Sequence, residues 1–207
     1  MTETTPGDAM RLLSGTALEV APRLLGAVLR VGGVSLRLTE VEAYLGEGAD
    51  PGSHAHRGPT ARNASMFGGA GTVYVYLSYG IHRCVNLVCG PAGEGSGVLL
   101  RAGAVVGGLE TARSRRPTSR DDRDLARGPG RLGSALGIDL ADDGSHLGAG
   151  RIALTLPETP VGAVSAGPRV GVAGEAGGAD FPWRFWITDD PTVSSYRPAV
   201  RRAGRSG

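Results

Sequence analysis

Two carboxylates, Glu40 and Glu42, close an alternating run, Val34-Ser-Leu-Arg-Leu-Thr-Glu-Val-Glu-Ala-Tyr44, whose period of two reads as a strand. On strict alternation Val34, Leu36, Leu38, Glu40, Glu42 and Tyr44 share a face, so a face that begins as core ends in two carboxylates and a phenol. Carboxylates that continue a buried face are costly unless they are paired or catalytic. Strand geometry separates Glu40 and Glu42 by roughly 7 Å, a spacing at which one acid and one base can straddle a glycosidic bond. The competing use is pairing with an arginine such as Arg37 or Arg101. Pairing is favoured for Glu40. Catalysis is favoured for Glu42, which stands beside Tyr44 and a long polar loop.

A second group of chemistry-bearing residues lies in Gly71-Thr-Val-Tyr-Val-Tyr-Leu-Ser-Tyr-Gly80, three tyrosines in a chain with only 5% aromatics. Alternation puts Tyr74 and Tyr76 on one face and Tyr79 on the other phase, before a glycine that ends or bends the strand. Such flat, amphipathic side chains suit a ligand with flat faces of its own, such as a nucleobase, although the segment by itself favours a half-buried core strand. In the next strand, residues 81–89, one face carries His82, Cys84, Asn86 and Val88. Asn86 there either reads a ligand edge or ties two backbone segments together. Cys84 and Cys89 differ by five and point to opposite faces, which argues against a disulfide, and against one zinc shared with His54 and His56. Neither a metal nor a cofactor is expected.

The elements that must position these groups follow from periodicity and punctuation. A helix is expected over residues 16–25, with Pro22 inside it and Gly26 as its stop. Strands are expected over 34–44, 71–80, 81–89, 98–101 and 151–156, with another apolar run at 181–187. Helices are expected over 107–116 and 129–136, the second closed by Gly137. Residues 45–72 show no sustained period, and a loop of that length inside a compact domain is usually functional or disordered.

Composition sets outer bounds. With 207 residues and 41% apolar content the chain can bury one sizeable core, and 35 glycines with 13 prolines favour a loop-rich, strand-containing fold. A net charge of +2 does not by itself announce a nucleic-acid binder. Arginines nevertheless gather at 113–127 and again at Arg201, Arg202 and Arg205, although Asp121, Asp122 and Asp124 interleave with the first cluster. All 22 basic residues are arginine, so Schiff-base chemistry from a lysine amine is excluded. The N-terminus lacks the basic start and apolar stretch of a secretory signal, so a cytoplasmic protein with no membrane span is expected.

Read in order, Val41-Glu-Ala-Tyr-Leu-Gly46, Ser53-His-Ala, Arg62-Asn63, Met66-Phe67, the tyrosine segment with Asn86, Val98-Leu-Leu-Arg101, Gly107-Gly-Leu-Glu-Thr111, Gly128-Pro-Gly-Arg-Leu132 and Arg169-Val-Gly-Val172 form a specific set. The set resembles the alkyladenine (3-methyladenine) DNA glycosylase family over nearly the whole chain. The resemblance implies a single mixed α/β (α+β) domain over residues 1–207, a curved antiparallel sheet or open barrel flanked by helices, with 1–10 and 196–207 loosely held. It implies a monofunctional, monomeric and nucleoid-associated enzyme acting on double-stranded DNA that contains damaged bases.

By the same resemblance, Glu42 orients and deprotonates the attacking water, which Arg101 and the carbonyl of Val170 help to hold. Tyr44 lies on one side of a flipped base and His54 with Tyr76 on the other. Asn86 obstructs the exocyclic amine of guanine, Tyr79 intercalates in the minor groove, and Tyr74 gives structural support. His82 and Arg83 depart from some relatives, which carry an aromatic there, and phosphate contact by Arg83 is an open use. Two other classes stay open: a glycosidase acting on free nucleosides, and a non-catalytic module that stacks single-stranded nucleic acid.

Overall fold

The computed structural model describes residues 6–199. Among them are four α-helices, α1 (Pro6–Leu13), α2 (Ala17–Arg23), α3 (Leu109–Arg115) and α4 (Pro129–Leu136). Eight strands accompany them: β1 (Val28–Val31), β2 (Val34–Tyr44), β3 (Val73–Ser78), β4 (His82–Cys89), β5 (Ser96–Gly107), β6 (Ile152–Thr155), β7 (Val164–Gly167) and β8 (Arg184–Ile187). The sheet runs β3-β4-β5-β2-β1-β6 and every pairing is antiparallel. β8 pairs with β2 beyond the point where β1 leaves it, and β7 pairs with β8, so the sheet curls into a half-barrel of an α+β domain.

Local chemistry explains the elements nearest the sheet. Thr16 caps α2 and exchanges a reciprocal pair of hydrogen bonds with Glu19, which satisfies donors that the first turn leaves open. β1 and β2 meet across Gly32 and Gly33, both at positive φ, the backbone that a two-residue hairpin of this hand requires. α4 lies against β4 so closely that a Cβ at Gly133 would sit 2.1 Å from the carbonyl oxygen of Arg83. The free edge at β3 is covered by the loop after α4, where Val73 N–H donates to Ser145 O and Val75 N–H to the Asp143 carboxylate, each at 2.8 Å.

The two faces of the sheet have different work. One buries Leu29, Leu36, Val75, Val85, Leu87, Val98 and Leu100 against Leu12, Leu13, Val20, Leu24 and Leu25 of the N-terminal segment and Leu132 and Leu136 of α4. The other carries a smaller cluster, Ala55, Met66, Tyr74 and Val88, against which Tyr44, Phe67 and Tyr76 pack. The loop over residues 45–72 covers this second face. Within it Asn63 donates to the carbonyls of His54 and Gly58 and accepts from Thr60, giving the loop its own frame.

Several expectations are corrected. The N-terminal segment holds α1, whose Leu12 and Leu13 enter the core. β5 is far longer than residues 98–101, and β1 and β7 are additional strands. The expected strand over 71–80 ends at Ser78, so Tyr79 lies in a turn and not on the strand's other phase. Most consequentially, β2 does not alternate strictly. Its register with β5 shifts between Leu38 and Glu40, leaving Thr39 as an extra residue, and shifts again between Glu40 and Val41, leaving Arg101 extra on β5. Such bulges change which way the following side chains point. Val34, Leu36 and Leu38 therefore share the core with Val41 and Ala43, while Glu40, Glu42 and Tyr44 turn to the opposite face. The loosely held ends expected at 1–10 and 196–207 fall in part, and Arg201, Arg202 and Arg205 fall wholly, outside the described residues.

Candidate active site

Glu42 faces this second surface and is fully buried, with three donors on its carboxylate. Oε1 accepts the Val170 N–H at 2.7 Å, while Oε2 accepts the Tyr44 hydroxyl at 2.8 Å and Arg101 Nη1 at 3.2 Å. Tyr44, Arg101 and Val170 line a cavity of about 570 Å³, with His54, Met66, Tyr74, Tyr76, Asn86 and Leu99 among the other walls. Glu42 thus lies immediately behind the cavity surface, presented by three groups that form it. The volume suits a small aromatic ligand.

The bulges place the arginine. As the extra residue on β5, Arg101 reaches both carboxylates of β2, donating Nε to Glu40 at 2.8 Å and Nη1 to Glu42. Burial works against its charge, but Glu42 and Glu40 outweigh that and hold its pKa above the ordinary arginine value. Glu40 is paired as expected, to Arg101 and also to Arg184 Nε at 2.7 Å, whereas Arg37 pairs with Asp190. Burial pushes the Glu40 pKa up, and the two guanidinium groups overcome this and leave it lowered. With Glu40 committed to these partners, the two carboxylates do not form the acid and base pair that their spacing allowed.

The aromatic walls are oriented by neighbours. β3 and β4 put Tyr74, Tyr76, Cys84, Asn86 and Val88 on the cavity side, in keeping with their alternation. Tyr74 and Tyr76 stack with centroids 5.6 Å apart, and His54 meets Tyr76 edge-on at 4.6 Å. The Tyr74 hydroxyl lies 3.0 Å from His54 Nδ1, so the buried tyrosine sets the attitude of the more exposed imidazole. Asn86 Nδ2 donates to the Tyr74 carbonyl at 3.1 Å. Burial raises the pKa of Tyr74 to about 12, and burial first, then Cys84, raises that of Tyr76. Partial desolvation, assisted by Arg62, lowers that of His54.

One strut went unnoticed in the sequence. Arg169 and Asp50 are both fully buried and joined by two hydrogen bonds of 2.6 and 2.7 Å. The Arg169 guanidinium also donates to the Ala43 carbonyl and lies between the rings of Tyr44 and Trp183. Asp50 in turn accepts the N–H groups of Leu45 and Gly52, tying down the loop that carries His54. The nearest signal was the Arg-Val-Gly-Val run itself.

Tyr79 stands at the rim, 92% exposed, in the turn joining β3 to β4. Its φ of 51° and that of Gly80, 72°, are both left-handed, and Ile81 N–H closes the turn on the Ser78 carbonyl at 3.2 Å. A bulky residue held at positive φ costs on the order of 1–2 kcal/mol. Beyond it lies a second depression, lined by Ser78, Tyr79 and His82 on one side and by Arg116, Arg120, Arg127, Arg131 and Arg197 on the other. Arg131 pairs with Asp124, Arg113 pairs with Glu110 and Asp122, and Arg83 pairs with Asp139. The interleaved cluster is therefore partly self-paired and partly turned to this groove.

Cys84 lines the cavity and Cys89 lies in the main core, both as free thiols. Among the described residues, no helix is long and apolar enough to cross a membrane.

Residues 11–191 match the family model described as methylpurine-DNA glycosylase. A protein of Leifsonia xyli subsp. xyli named "Putative 3-methyladenine DNA glycosylase" is 56% identical over 190 residues, which cover 88% of this chain and 89% of that protein. Proteins given the same name in Nocardia farcinica and Streptomyces avermitilis are 56% identical over 191 residues and 53% identical over 197. The match to the Nocardia protein covers 89% of both chains and the match to the Streptomyces protein 91% of both. A carboxylate held behind an aromatic cavity, an exposed tyrosine at its rim and this near full-length likeness converge, and the chain belongs to the methylpurine-DNA glycosylase family.

Proposed function

We propose that the protein hydrolyses the N-glycosidic bond of alkylated purines in duplex DNA, using a water activated by Glu42. The observation that carries this reading is the buried Glu42 carboxylate, aimed by Val170, Tyr44 and Arg101 directly behind a cavity walled by Tyr44, Tyr76 and His54. The target base leaves the helix and enters the cavity, where it stacks on Tyr44 on one side and on Tyr76 with His54 on the other. Tyr79 fills the vacated place in the stack. Asn86, at the cavity wall, rejects the exocyclic amine of guanine.

The reaction balances without a covalent intermediate. Water oxygen forms a bond to the anomeric carbon, and its proton passes to Glu42. The carbon–nitrogen bond breaks, and its electron pair leaves with the base. Arg101 and the Val170 carbonyl hold the water, and the Glu42 charge favours the cationic sugar as it forms.

Cationic methylpurines such as 3-methyladenine rank first among substrates, because they depart as neutral bases without an added proton. The cavity offers no ready acid: burial keeps Tyr74 and Tyr76 protonated far above neutral pH, and His54 is shifted toward its neutral form. Comparable single-turnover excision of hypoxanthine and 3-methyladenine would overturn this ranking.

A free nucleoside would use the cavity alone. The exposed Tyr79 and the arginine-lined groove next to it favour a polyanionic duplex instead. The deciding experiment is single-turnover release of 3-methyladenine from a duplex by the wild type and by Glu42→Gln. A loss on the order of 10²–10⁴-fold with retained duplex binding is expected. A variant as fast as wild type excludes Glu42 as the base, and equal release from the free nucleoside favours a nucleosidase.

A further inference from the structure

We infer that Glu40 is a positioning residue for the hydrolytic centre, fixing the Arg101 guanidinium on Glu42 and setting how much of its positive charge Glu42 receives. This rests on the reading of Glu42 as the water-activating group.

Glu40 has no free acceptor site to offer a water or a substrate. It is fully buried, does not line the cavity, and accepts from Arg101 Nε at 2.8 Å, Arg184 Nε at 2.7 Å, Ser194 N–H at 2.7 Å and Ser194 Oγ at 3.0 Å. A carboxylate has about four lone-pair sites, and four donors use that capacity. What Glu40 does reach is Arg101, the one guanidinium among the described residues that reaches Glu42. With Nε fixed by Glu40, the rotation of the Arg101 head group is set, and Nη1 falls on Glu42 Oε2 at 3.2 Å.

The charges form a linear chain of Arg184, Glu40, Arg101 and Glu42, two of each sign, in the order of their contacts. The other titratable groups that face Glu42 are Tyr44 on its own strand, Tyr76 on β3 and Cys84 on β4. Burial raises all three, the thiol to about 11, so they stay uncharged at neutral pH, whereas Arg101 is a cation in direct contact with Glu42. Along such a chain, weakening one link shifts charge along the next. Glu40→Gln keeps an oxygen for Arg101 Nε but removes the competing negative charge, so Arg101 acts more fully on Glu42. Arg184→Gln removes the second cation of Glu40, so Glu40 draws more of Arg101 away from Glu42.

These two substitutions should displace the acid limb of excision in opposite directions. Single-turnover release of 3-methyladenine is measured against pH, with the active fraction of each variant titrated by a duplex containing an abasic-site analogue. The limb is expected to move down by about one pH unit in Glu40→Gln and up by a similar amount in Arg184→Gln. Half-saturating duplex concentrations should stay within about threefold of wild type, since neither side chain contacts the ligand. Glu40→Asp keeps the charge and should return the limb to its wild-type position even if it folds less stably. Limbs that stay in place, or that move together, would overturn the positioning role. Wild-type rates in Glu42→Gln would instead remove the reading on which it rests, so the two failures are distinguishable.

Discussion

The guanidinium of Arg169 lies 4.5 Å over the ring of Tyr44 while Asp50 clasps the same group at 2.6 and 2.7 Å. One wall of the cavity is therefore backed by a buried ion pair, and that pair also holds the Leu45 and Gly52 N–H groups at the start of the His54 loop. Both sides of the proposed base site share this brace. Removing one charge strands the other in the interior, which generally costs about 3–5 kcal/mol. Asp50→Asn should show a loss of this size in urea unfolding. A loss below about 1 kcal/mol would mean that Arg169 finds compensation elsewhere.

Tyr79 spends backbone strain on an exposed side chain, so stability and activity should part company there. Tyr79→Gly relieves the left-handed backbone, and the melting temperature should hold or rise, by the equivalent of up to about 1 kcal/mol. If Tyr79 fills the vacated stack as proposed, excision from a duplex should nevertheless fall roughly tenfold or more. A less stable variant with normal excision would contradict both halves.

The groove beyond Tyr79 should be visible in salt dependence. Arg120 lines it and has no salt-bridge partner among the described residues. Replacing it with alanine should lower the slope of log affinity against log salt by about 0.9 for a single lost phosphate contact. Arg113, held by Glu110 and Asp122, serves as the control whose replacement changes the slope little.

Acid should unfold the protein through its paired carboxylates. Despite burial, the Glu40 pKa is lowered from 4.5 by Arg101 and Arg184, and those of Asp142 and Asp190 are lowered by their own hydrogen bonds and arginine partners. Below the ordinary carboxylate range the unfolded chain binds protons before the folded one, so stability present above about pH 4.5 is lost as pH falls. Urea midpoints measured from pH 6 to about pH 3 should decline, and Glu40→Gln should flatten the decline.

Much of this was legible because side-chain period carries through a strand. Tyr74, Tyr76, Cys84 and Asn86 lie on the face that alternation assigned them, and α4 starts and stops at its proline and glycine. Glu42 reaches the cavity side by a route that alternation does not give: alternation assigns it to the face that begins as core, and the bulge at Thr39 turns it to the other. A bulge has no composition of its own, so neither that reversal nor the reach of Arg101 was readable. The strut between Asp50 and Arg169 was invisible for another reason, since it joins residues 119 positions apart. Tyr79 at positive φ was hinted at by Gly80, yet a tyrosine there runs against ordinary backbone preference.

Across the sheet, the registers place Tyr74, Asn86, Leu99, Glu42 and Arg184 in a single rung through β3, β4, β5, β2 and β8. A slip of one residue in any of these strands would turn its member of the rung to the helical face and bury it among leucines and valines. Insertions and deletions should therefore be tolerated in the turns and lethal to the site inside the strands. In that sense the site depends on the rung as a unit, while the shape of the cavity mouth is free to vary through the loop over residues 45–72 and the rim around Tyr79.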